Sequence, residues 1–138
     1  ATRDQRGAEG NVHFSMKALA KDYDGLAEKL RENLYAKPAL VPPLPGADGP
    51  IPATPQATAG ASRDAVTVRF DLPGASRPWL WVVQLKRGDR WEAAVVPGHE
   101  RRYTASVAAG ARVVEASVSA VSRTGLEGPA TRVLLQRD

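Results

Sequence analysis

The chain has 138 residues, a formal net charge of +4, 43% apolar residues, 11 prolines and no cysteine; that length suits one core of roughly 80–100 residues plus an appendage. Without cysteine there is neither a disulfide framework nor a thiolate metal site, and the two histidines cannot close a zinc site alone. The sequence shows no apolar run long enough to cross a bilayer and no signal-peptide pattern.

Residues 1–10 are small, charged and punctuated by glycine, which suits a loop or frayed terminus. The chain starts at Ala1 without methionine, as expected of a processed product or a piece of something longer. Residues 11–15 (NVHFS) read as an extended entry. Met16, Leu19, Ala20, Tyr23, Leu26, Ala27, Leu30 and Leu34 then recur at three- and four-residue spacing and predict one apolar helical face. Ser15 is the expected cap of a short helix over 16–22. Asp24 is the expected cap of a second over 25–36, because Gly25 interrupts the run. Pro38 stops it.

Residues 37–55 (KPALVPPLPGADGPIPATP) hold seven of the prolines, which fix the backbone angle and remove donors. The segment reads as an extended connector. Leu40, Val41 and Leu44 predict that it packs against a surface.

From there the pattern becomes short alternating runs separated by turn residues, the signature of an antiparallel sandwich. Strands are expected near 54–60, 65–72, 79–87, 91–96, 101–107, 111–122 and 130–136. In the second, Val66, Val68, Phe70 and Leu72 alternate with Thr67, Arg69 and Asp71. In the sixth, Val114, Ala116, Val118 and Ala120 are expected to face inward while Glu115, Ser117 and Ser119 face water.

Residues 114–129 (VEASVSAVSRTGLEGP) resemble the penultimate strand and following loop of a fibronectin type III domain. The resemblance implies a mainly β chain: a seven-stranded immunoglobulin-like, fibronectin type III-like antiparallel sandwich over 56–138, preceded by a short helical segment. Two positions depart from that pattern. Phe70 stands where a core tryptophan is usual, and Val114 stands where the tyrosine-corner residue is usual.

A second resemblance covers residues 10–42. The GNVHFSMKAL run, a helical stretch and then YAKPALVP are similar to the end of bacterial glycoside-hydrolase-like proteins with group 10-like (β/α)8 barrels, often envelope lipoproteins. It implies that residues 1–36 are the last strand-helix unit of such a barrel, 37–55 a linker, and the rest an accessory domain. It further implies a location in the bacterial cell envelope, periplasmic or lipoprotein-anchored, and a parent that cleaves cell-wall or other glycans. His13 and Ser15 would then lie at the barrel rim.

This chain is expected to be no enzyme. Glycoside hydrolysis needs two carboxyl groups about 5–10 Å apart in a pocket, and barrels build that site from several strand ends. Asp22, Asp24, Glu28 and Glu32 fall at helix-surface positions. No catalytic, cofactor-binding or metal-binding residue is assigned, and no cofactor is expected.

Trp79, Trp81 and Trp91 are the candidate contacts for glycan or for docking on the barrel. The first two are two residues apart on one strand and the third follows the turn, so a small aromatic platform is expected; ordinary core packing is the other reading. Arg87-Gly88-Asp89 matches an integrin-binding tripeptide but falls at a tight hairpin turn. Arginines at 69, 90, 101, 102, 112, 123 and 132 are scattered over strands. Such charge reads as a solvated basic surface with mild attraction to anionic glycans. The expected partners are the missing barrel of the same parent and a glycan, with no nucleic acid, no membrane span and weak self-association through the apolar helix face. An independent protein- or polysaccharide-binding module is the alternative function.

Overall fold

The computed structural model describes residues 6, 16–43, 46, 48–74, 77–108 and 112–135. It divides into two compact units, Ala1–Lys37 and Pro38–Asp138. His13 and Ser15 lie outside the described residues.

In the first unit, α1 (Met16–Ala20) ends at a kink where Asp22, Asp24 and Gly25 all take positive φ. A 3-10 turn (Tyr23–Gly25) leads into α2 (Leu26–Lys29), which widens into a π turn (Leu30–Leu34). Gly25 holds the N-cap position of α2, and the acid that serves the open helix end is Asp22 and not the expected Asp24: the Ala27 N–H donates to Asp22 Oδ1 at 2.7 Å. Left-handed backbone at Asp22 turns its carboxylate back toward the open end of the helix. Asp24 instead pairs with Lys29 at 3.3 Å in solvent. The Lys29 carbonyl accepts from the Asn33 side chain at 2.9 Å, a bond that competes with regular helical pairing where the π turn begins. Met16 and Tyr23 are exposed, and no residue of α1 or α2 is buried.

The second unit carries seven strands: β1 (Gln56–Ala61), β2 (Ala65–Asp71), β3 (Leu80–Arg87), β4 (Arg90–Pro97), β5 (Arg102–Ser106), β6 (Val113–Val121) and β7 (Thr131–Leu134). They form two antiparallel sheets, ordered β1-β2-β5 and β4-β3-β6-β7. This is the antiparallel sandwich expected from the alternation, in the fibronectin type III-like form that the resemblance implies, with each strand within a few residues of its expected place. The core lies between the sheets and is built from Val66, Val68 and Phe70 on one side and Trp81, Val83, Leu85, Ala116 and Val118 on the other.

The sixth strand departs from its expected facing. A register shift at Lys86/Arg87 makes Arg87 pair with Val113 while Lys86 pairs with Glu115. Val113 therefore takes the buried place, and Val114 is 37% exposed. Ser117 and Ser119, expected in water, are buried. Ser119 hydrogen-bonds Glu127, which returns beside β6 through a bridge to Val121. That cover is a non-local contact, so alternation alone misses it.

The proline-rich segment belongs to the sandwich unit. Residues Ala39 to Pro42 lie by Val121, and the Thr131 hydroxyl donates to the Pro55 carbonyl. A Cβ on Gly128 would sit 2.3 Å from the Pro52 oxygen, so this close approach requires glycine.

Candidate functional site

The three tryptophans do not form one platform. Trp81 points between the sheets, is fully buried, and packs on Phe70 with ring centroids 4.9 Å apart. A tryptophan from β3 thus supplies the core indole that the second strand, with Phe70, lacks. Its indole Nε1 is buried without a hydrogen-bond partner. Trp79 stands at the entry to β3 and is 50% exposed; Trp91 pairs with Lys86 at the far end of the β3–β4 hairpin and is 40% exposed. Seven residues of strand separate Trp79 from Lys86, roughly 23 Å at about 3.3 Å per residue. The sequence spacing places Trp79 and Trp81 on one row, but that row continues past the end of the core.

Trp79 is the tryptophan with a built surrounding. The Arg123 guanidinium lies over its ring, 4.6 Å from the centroid, a favourable cation–π contact. Two clefts meet at this pair. One, of about 560 Å³, is walled by Pro50, Ile51, Leu72, Arg77 and Pro78 as well as Trp79. The other, of about 460 Å³, runs between Leu40, Val41 and Val121. Neither Arg77 nor Arg123 has a carboxylate partner among the described residues. Local sequence signals miss this site because its walls come from the proline-rich segment, the β2–β3 connection and the β6–β7 loop.

Trp91 has a thinner setting, with the Lys86 ammonium 5.9 Å from its ring. The neighbouring Arg87-Gly88-Asp89 turn is a hairpin turn. Gly88 has φ 56° at its first central position, and Arg87 is held by Glu92 at 3.0 Å and by the Ser106 carbonyl at 2.9 Å. That arginine is occupied in the fold and not presented to a partner.

Three of the four helix-surface acids are engaged as cap and ion-pair partners: Asp22 with Ala27, Asp24 with Lys29, and Glu28 with Arg31. No helix among the described residues is long and apolar enough to cross a membrane.

No family model matches the chain. Over 50 residues it is 44% identical to the glycosyl hydrolase YngK of Bacillus subtilis (strain 168). The match takes in 36% of this chain and spans 10% of that protein's length. Among solved structures, an FN3 domain of human collagen XX is similar over 64% of this chain and 99% of its own, at 16% identity and a TM-score of 0.45.

Proposed function

We propose that this chain is a non-catalytic C-terminal accessory module of a bacterial glycoside-hydrolase-like protein of the cell envelope, spacing or seating a barrel and meeting glycan through the Trp79 cleft. The partial likeness to YngK supports the parentage. The observation that carries the site is the half-exposed Trp79 ring, held by Arg123 between two clefts. Sugar rings present apolar faces that stack on an aromatic held open to solvent, while neighbouring guanidinium groups bind their oxygens. Asp48 is the acid that lines the Trp79 cleft, without the second carboxyl that the usual glycoside hydrolysis needs, and the parent's barrel would supply the chemistry.

Titration of the chain with soluble cell-wall glycan strands, following tryptophan fluorescence, tests the reading. Binding is expected, and Trp79→Ala should abolish it while Trp91→Ala leaves it intact. Wild-type affinity in the Trp79 variant would end the assignment of this cleft. Binding that appears only when the barrel is attached would make the module a spacer.

A further inference from the structure

The outward face of the β1-β2-β5 sheet holds a second arrangement, separate from the Trp79 cleft. Strand register makes Arg69 on β2 the direct cross-strand partner of Arg102 on β5. Residues so placed have Cβ atoms about 4.5–5.5 Å apart, and like charges there destabilise the pairing. Both arginines are exposed, and neither has a carboxylate partner among the described residues. The one acid that shares the face on β2, Asp71, is held by Arg101 at 3.0 Å.

Around the pair the sheet is hydroxyl-rich. Thr58 on β1 lies across from Arg69, and Gly60 lies across from Thr67. Thr67 faces Thr104, their hydroxyls 3.1 Å apart. A shallow depression of about 500 Å³ is lined by Thr58, Gly60, Thr67 and both arginines. A second, of about 360 Å³, continues from Arg69 to Arg101. A Cβ at Gly60 would meet nothing within 4 Å, so the backbone there is open to an approaching chain.

We propose that this face binds an acidic polysaccharide, with Arg69 and Arg102 converging on one carboxylate and the threonine hydroxyls meeting sugar hydroxyls on either side. Guanidinium forks match a carboxylate's two oxygens, and a bound anion offsets the repulsion between the two cations. Single-stranded nucleic acid would need stacking aromatics and a membrane surface would need apolar anchors. The outward positions of these strands carry threonine, serine, glycine, alanine, arginine, glutamine and aspartate instead.

Affinity electrophoresis of the full chain in gels containing polygalacturonate, neutral dextran or a single-stranded oligonucleotide tests this. Retardation is expected in polygalacturonate alone, weakening as salt rises. The Arg69→Gln, Arg102→Gln double variant should lose at least about tenfold in affinity, as expected when charge-assisted bonds are removed. Its melting temperature should equal or exceed that of the wild type, because the like-charge contact is gone. Adding the two arginine changes to a Trp79→Ala background should produce the same fold loss, which separates this face from the cleft. The proposal falls if polygalacturonate does not retard the chain, if dextran retards it equally or the oligonucleotide more strongly, or if the double variant binds undiminished. It also falls if the double variant melts earlier, since the arginines would then be structural.

Discussion

Trp81 of β3 and Phe70 of β2 meet across the sandwich, their ring planes tilted by 51° and their centroids 4.9 Å apart. Because the two strands belong to different sheets, this pair joins the layers directly. Truncation at Trp81 removes the largest fully buried side chain and leaves a void that β-strand backbones cannot collapse to fill. Trp81→Ala should cost about 3–5 kcal/mol, read from urea unfolding. Trp81→Phe should cost less, since the indole nitrogen it discards has no hydrogen-bond partner to lose. An unchanged midpoint in the alanine variant would show that the core is centred elsewhere.

Burial separates the three indoles as optical probes. Trp81 is 0% exposed, whereas Trp79 and Trp91 are 50% and 40% exposed. In variants that keep one tryptophan and carry phenylalanine at the other two positions, iodide should quench Trp79 and Trp91 and leave Trp81 bright. Equal quenching of all three would contradict the inward placement of Trp81.

Contact between the proline-rich segment and the sandwich depends on Gly128. Gly128→Ala would press a methyl group to 2.3 Å from the Pro52 oxygen. Overpacking of that kind should cost about 1–3 kcal/mol and loosen the segment. Limited proteolysis should show new cleavage between residues 38 and 55. Gly60→Ala is the matched control: the new methyl meets open space, and a strand accepts alanine more readily than glycine.

Asp22 and Asp24 are two residues apart and differ in function. Asp22→Ala removes the carboxylate that accepts the Ala27 N–H, and should cost the helical segment about 0.5–2 kcal/mol. Asp24→Ala breaks a solvent-exposed ion pair with Lys29 and shares with the Asp22 variant the strain of alanine in left-handed backbone, so it should cost less. Circular dichroism at 222 nm, followed through a thermal ramp on both variants, distinguishes the two. A larger loss in the Asp24 variant would restore the cap to the position expected from spacing.

Local pattern was enough to place all seven strands, the β3–β4 turn at Gly88-Asp89 and the helical character of residues 16–34. Alternation and turn chemistry are properties of neighbours in the chain, so they survive without knowledge of the partner strand. The same logic explains the errors. Alternation across 114–120 assumes an unbroken pleat, and the bulge opposite Arg87 shifts the inward row from Val114 to Val113. Helical spacing marks Gly25 as a break but says nothing of the left-handed turn that brings Asp22 to the cap.

Other features are absent from any local window. That Trp81 is enclosed while Trp79 overhangs the core depends on where the opposing sheet ends. The walls of the Trp79 cleft come from three separate stretches of chain, and Arg69 meets Arg102 because β2 pairs with β5 in one register and no other. Period-two patterning says which residues share a face of their own strand. Which residues lie opposite is a pairing decision made between distant segments, and the candidate binding surfaces of this chain are built from such pairings.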